Sequence, residues 1–160
     1  GGAAGDASSG GTRCTIIGFG ADASSSSESD EVTLGNANVA TLRCAVTSIT
    51  AVSDRRDKTN IEDIPVGLNY INALRPVKFD WAKRDGSLKG KKSFGFIAQE
   101  LEEVQSQFGY GEYSNLVYNS NPEKLEASPM NTYPILVKAV QELSAKIDQL
   151  ETRLDEMVGL

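Results

Sequence analysis

Seven apolar residues near the C-terminus, Leu136, Val140, Leu143, Ile147, Leu150, Leu154 and Met157, recur at spacings of 4, 3, 4, 3, 4 and 3. This is the a/d seam of a coiled coil, and it constrains the fold more than any other feature. A seam only two positions wide needs other helices to bury it, whereas a helix packed on its own domain usually shows a broader apolar face. The spacing therefore predicts a helix over 132–160 that joins copies of itself. Pro134 suits its first turn, where a missing N–H costs nothing. From Leu136 to Met157 the seam spans about 33 Å at 1.5 Å per residue, enough to lock register. Lys146 at g and Glu151 at the following e would add about 0.3–0.5 kcal/mol as a surface pair. Val140 and Ile147 at a with Leu143 and Leu150 at d favour two strands, but Leu154 at a and Met157 at d depart from that pattern.

The N-terminal third has a different texture. Residues 1–52 are rich in Gly, Ala, Ser and Thr, lack Trp, Tyr and Pro, and carry only Arg13 and Arg43 as basic residues. Such a segment cannot bury a core alone. Thr15-Ile16-Ile17-Gly18 and Thr33-Leu34-Gly35-Asn36 echo each other weakly, and β-branched runs between Val32 and Ile49 are broken by Gly35-Asn36 and Asn38. These read as short strands that need partners from other chains, intertwined in an oligomeric stalk. Ser24 to Ser29 reads as a solvated low-complexity loop. The opening Gly1-Gly2-Ala3-Ala4-Gly5, with no Met and no leader pattern, reads as a piece of something longer.

From Ser53 to about residue 131 the pattern is that of a small α+β domain. Ile61, Ile64, Val66, Leu68, Ile71 and Leu74 predict a helix over 65–74, ended by Arg75-Pro76. Val77 to Trp81 alternates as a half-buried strand, Asp85-Gly86-Ser87 is turn material, and Ser93 to Ala98 reads as the return strand. Gln99 to Phe108 predicts a helix with Leu101, Val104 and Phe108 on one side, followed by a Gly- and Tyr-rich loop and a brief strand around 116–118. Phe79, Trp81, Phe94 and Phe96 are the expected aromatic core.

Several function classes are excluded by composition. Lys and Arg number 16 against 22 Asp and Glu, a net charge of −6, and a nucleic-acid binder would carry the opposite balance. No apolar run is long enough to span a bilayer. Histidine is absent, which removes Ser-His-Asp and Cys-His mechanisms and leaves Ser-Lys or carboxylate chemistry. Cys14 and Cys44 have neither metal-ligand spacing nor a His to join them, so no metal site or disulfide framework is expected. Gly86 and Gly90 around the lysine cluster do not match a P-loop, and no cofactor is expected.

Four ordered motifs then converge. Ser53-Asp54-Arg55-Arg56-Asp57-Lys58-Thr59-Asn60-Ile61, Leu74 to Trp81, Phe96-Ile97-Ala98-Gln99-Glu100, and Ala139-Val140-Gln141-Glu142-Leu143 together resemble the endosialidase-type intramolecular chaperone domain. That domain ends phage tail spikes and tail fibres. The resemblance, which covers residues 53 to about 154, implies a parallel homotrimer that helps the upstream fibre fold in the host cytoplasm. It then cuts itself away, leaving the fibre in the virion tail. It makes Val52–Ser53 the scissile bond, Ser53 the nucleophile and Lys58 its base, with Asp54 and Gln99 as supporting groups. The expected architecture is a β-rich stub at 1–52, an α+β chaperone at 53–131 and a coiled-coil helix at 132–160.

The chemistry is sound apart from the resemblance. A serine hydroxyl needs a base, and in a chain without His a desolvated Lys is the best one available. A free lysine titrates near 10.4, so only roughly one in 2,500 is neutral at pH 7. Burial would have to supply most of the correction, Arg55 and Arg56 would help, and Asp54 and Asp57 would oppose, according to which of them face Lys58. A five-residue gap puts Ser53 and Lys58 on different faces of a helix or a strand, so the dyad needs a turn, which Asp54 capping a short helix would provide. The rival reading is a non-catalytic structural trimerisation or attachment module of a fibre, with Ser53 as a simple helix cap.

Overall fold

The computed structural model describes Ala4, Gly5, residues 11–46 and residues 48–159. They form two compact units, each assembled from separated stretches of chain. One holds the residues up to Thr59 with 78–94 and 119–124, and the other holds 60–77, 95–118 and the residues from Leu125 onward.

In the first unit, β1 (Thr15–Ile17) pairs in parallel with β2 (Val32–Leu34), in the register Thr15 to Val32, Ile16 to Thr33 and Ile17 to Leu34. In the single chain this pairing is internal, between two strands of the same copy. The connection from Ile17 to Val32 is long enough for a parallel return, so the chain lays its second strand beside its first. The 17-residue offset extends beyond the strands. Arg13 Nε donates to Asp30 Oδ1 at 2.5 Å, Thr12 N–H to Ser29 Oγ at 3.0 Å, and Asn36 Nδ2 to the Phe19 carbonyl at 2.7 Å. The chain is coiled as a solenoid, one turn stacked on the next.

The serine-rich loop is a bonded corner of this coil, unlike the solvated loop expected. Ser24 donates to the Glu31 carboxylate from its backbone N–H at 3.1 Å and its Oγ at 2.8 Å, and Thr33 Oγ1 donates at 2.7 Å. Burial opposes ionisation of Glu31, but these bonds prevail and hold its carboxyl below the usual glutamate range. Cys14 and Cys44 are free thiols.

β3 (Val77–Asp80) pairs with β4 (Lys92–Gly95). Trp81 sits at the mouth of the connecting loop, its N–H donating to the Lys91 carbonyl and its own carbonyl accepting from Gly90 N–H. The strand phase corrects the expected aromatic core. Ser93 takes the inward position, where its Oγ accepts from Trp81 Nε1 at 3.1 Å, and Phe94 is left 89% exposed. Phe79 and Trp81 meet edge to face.

The core lies in the second unit. Val66, Tyr70, Leu101, Val104, Leu116 and Ile135 are buried together, with Phe96 and Phe108 packed against them. Their elements are α1 (Leu68–Ala73), α2 (Ala98–Phe108), the single-turn α3 (Gly111–Ser114), a two-stranded antiparallel pair of β5 (Val117–Tyr118) and β6 (Glu126–Ala127), and α4 (Tyr133–Val158). α1 starts three residues later than the apolar pattern predicts because Gly67 caps it without a side chain, and the Leu68 N–H is satisfied instead by Glu142 Oε2 of α4 at 2.8 Å. α4 buries Ile135 and Ala139 near its start. Its seam residues Leu136, Val140, Leu143, Ile147, Leu150, Leu154 and Met157 are all exposed. The fold is α+β with a long C-terminal helix, and no helix among the described residues is long and apolar enough to cross a membrane.

Candidate active site

Ser53 ends an exposed, unstranded stretch that includes Ile49 at 98% and Val52 at 91% exposure. The chain then enters a 3-10 turn, Arg55–Asp57, through an extended Asp54 and leaves it through an extended Lys58. Asp54 is the cap. Its Oδ1 accepts from the Arg56 N–H at 2.8 Å, its carbonyl accepts from the Asp57 N–H at 3.2 Å, and the Lys58 N–H closes the turn on the Arg55 carbonyl at 3.2 Å. Short polar side chains favour caps because they satisfy the first free N–H groups of a turn.

This extended-turn-extended path does what neither a helix nor a strand can do at a five-residue spacing. Lys58 Nζ donates to Ser53 Oγ at 2.5 Å. The pair is brought together within one chain, and Asp54, not Ser53, is the cap. Both side chains are exposed in the single chain.

The charges around the pair are sorted by the same turn. Arg56 reaches back to Asp54 with Nε at 3.1 Å and Nη2 at 2.7 Å, and these bonds, with the Arg56 N–H, hold the Asp54 carboxyl below its usual range. The Asp54 carboxylate is thus engaged by Arg56, a partner the sequence reading did not single out although a 3-10 turn brings i and i+2 close. Gln99 stands exposed in the first turn of α2, in the other compact unit. α2 has Ile97 at its cap position with no side-chain capping bond, and the neighbouring Glu100 is paired with Arg75. Among the described residues no cluster of three or more His, Cys, Asp or Glu side chains is placed to hold a metal ion.

Chemically, the arrangement offers one hydroxyl, one amine in hydrogen-bond contact with it, and an exposed peptide segment immediately before the serine. Residues 53–110 match the model of a peptidase family described as chaperone of endosialidase. The match begins at Ser53 itself and ends at Tyr110, before α4. No curated protein matches the chain.

Proposed function

We propose that residues 53–110, a chaperone-of-endosialidase domain, act as a self-releasing assembly factor: the chain forms a parallel trimer whose register α4 locks, the N-terminal coil is registered, and the domain then cuts itself free at Val52–Ser53. The observation that carries this reading is the 2.5 Å contact between Lys58 Nζ and Ser53 Oγ at the first residue of the family match.

In the reaction, Lys58 must present a neutral amine that takes the Ser53 hydroxyl proton, the reverse of the donation seen at rest. Oγ attacks the Val52 carbonyl carbon. Collapse of the tetrahedral intermediate breaks the Val52–Ser53 C–N bond, and the amine leaves with a proton passed on by Lys58. Water then hydrolyses the ester, giving a Val52 carboxylate and restoring the Ser53 hydroxyl. The new amino terminus stays on the chaperone, so each chain turns over once.

Assembly assistance follows from how little the N-terminal coil buries by itself. A domain that associates first raises the effective concentration of the coils it carries. Cutting it away afterwards leaves the stalk kinetically trapped. The setting proposed is a phage tail fibre or spike, made in the host cytoplasm, with the fibre part retained in the virion. The exposure of Ser53 and Lys58 in a single chain is what the rival, an inert trimerisation module, also predicts. Denaturing electrophoresis separates them: self-release gives fragments of about 52 and 108 residues by the counting that follows from a cut after Val52, abolished by Ser53→Ala. A full-length band that persists in correctly assembled wild-type protein favours the inert module.

A further inference from the structure

The 17-residue register that stacks β2 on β1 continues past β2. Thr15, Val32 and Ile49 fall in one column, Ile16, Thr33 and Thr50 in the next, then Ile17, Leu34 and Ala51. The stretch from Leu34 to Ile49 is as long as that from Ile17 to Val32, so a third turn of the coil is within reach of the chain. β2 also has a free edge, since among the described residues β1 is its single partner in a two-stranded sheet. Yet residues 48–53 are in no strand, and Ile49 is almost wholly exposed.

The next column explains why. It holds Gly18, Gly35 and Val52. The first two turn the corner with φ of +118° and +76°, in the left-handed region, and they stack so closely that a Cβ on Gly18 would lie 3.1 Å from the Gly35 Cα. A Cβ on Gly35 would lie 2.3 Å from Val39 Cγ2. A β-branched valine does not fit that dihedral.

We infer that Val52 is a coil breaker: by occupying the corner that glycine fills in the two preceding turns, it keeps residues 49–53 off the free edge of β2 and so keeps the Val52–Ser53 bond presented to Lys58. A completed third turn would place Ser53 in the column of Phe19 and Asn36, where Asn36 Nδ2 bonds back to the Phe19 carbonyl, and would draw it away from the turn that carries Lys58. The coil thus stops where the cut is made. Val52 is a positioning residue in this scheme, acting through its backbone preference. The part of the inference that concerns cleavage rests on the function proposed above, and the part that concerns the coil does not.

The test compares Val52→Gly with Val52→Ala in the full chain, since both remove the branched side chain and only glycine favours the corner conformation. Hydrogen exchange is measured first in a Ser53→Ala background, where no cut can occur. Amides of 49–51 should exchange about tenfold more slowly in the Val52→Gly chain than in the Val52→Ala chain, because docking on β2 protects them. Equal exchange in the two variants overturns the coil-breaker role whatever the chain does catalytically. With Ser53 restored, cleavage should slow by about the same factor in Val52→Gly relative to Val52→Ala, since only the undocked fraction can react. Protection without slower cleavage overturns the link to the cut. If wild-type protein makes no cut at all, the proposed function fails while the exchange comparison still decides the coil.

Discussion

Among the described residues, the unit containing α1, α2 and α4 seals Tyr70, Leu101 and Leu116 from solvent, while the unit containing the N-terminal coil has Ala21 as its one buried apolar residue. The first is held by side-chain packing. The coil is held by a ladder of backbone and polar bonds repeated every 17 residues, with Ile17, Phe19, Val32 and Leu34 facing outward. A packed core is intolerant of lost volume, whereas a ladder is intolerant of a wrong backbone at a corner. The contrast places stability and specificity in different residues of one chain, with Ser53 in the unit that holds the coil.

Reaction chemistry gives the largest expected effect. Lys58→Arg keeps the charge but removes a group able to accept the serine proton, because guanidinium stays protonated in proteins. Cleavage should fall by about 10²–10⁴-fold, in line with loss of a general base. Retention of the wild-type rate would take Lys58 out of the mechanism.

Packing comes next. Leu116→Ala or Leu101→Ala should lower the stability of the second unit by about 2–5 kcal/mol, measured by denaturant unfolding. The coil's amides should keep their exchange rates. Loss of protection in both units at once would show that they unfold as one and would break the comparison. Gly35→Val tests the reverse direction, placing a β-branched residue at φ +76° against Val39. It should cost about 1–3 kcal/mol, confined to the exchange of residues 32–34.

Smaller again is the response to acid. Glu31, Asp30 and Asp54 have carboxyls held below their usual range, Glu31 against burial by Thr33 and Ser24, Asp30 by Arg13, and Asp54 by Arg56. A lowered folded-state pKa contributes stability that is present above the unfolded pKa, about 4, and is lost as pH falls through the folded value. The coil should therefore loosen below about pH 4, and Glu31→Gln should flatten that dependence in exchange measurements of residues 31–34. The exposed pair Arg75–Glu100 should matter least, with Arg75→Ala leaving unfolding midpoints unchanged.

The sequence was informative where local periodicity or a local turn decides the structure. The seam from Leu136 to Met157 marked α4, the Leu101-Val104-Phe108 spacing marked α2, and the Asp54 cap with Lys58 five residues from Ser53 marked the turn that joins them. It was misleading where the deciding contact is distant. Nothing near Gly67 announces that Glu142 will cap α1, and nothing in Phe94 says that Ser93 will be the residue turned toward Trp81. The intrachain coil did leave a signal, since Asp6-Ala7-Ser8-Ser9 returns as Asp22-Ala23-Ser24-Ser25 ahead of the two strands. Residues 6–9 lie outside the described residues, but the repeat foreshadows a parallel return within one chain.

The proposed reaction has the Ser53–Lys58 pair cut the chain before Ser53. Intact-mass spectrometry of assembled protein over time, run beside Ser53→Ala and Lys58→Arg, tests it most directly. Wild-type protein should convert to a fragment beginning at Ser53 and a fragment ending at Val52, with the Ser53→Ala chain intact and the Lys58→Arg chain converting far more slowly. Wild-type protein that remains at full mass, or that is cut at any other bond, would contradict it.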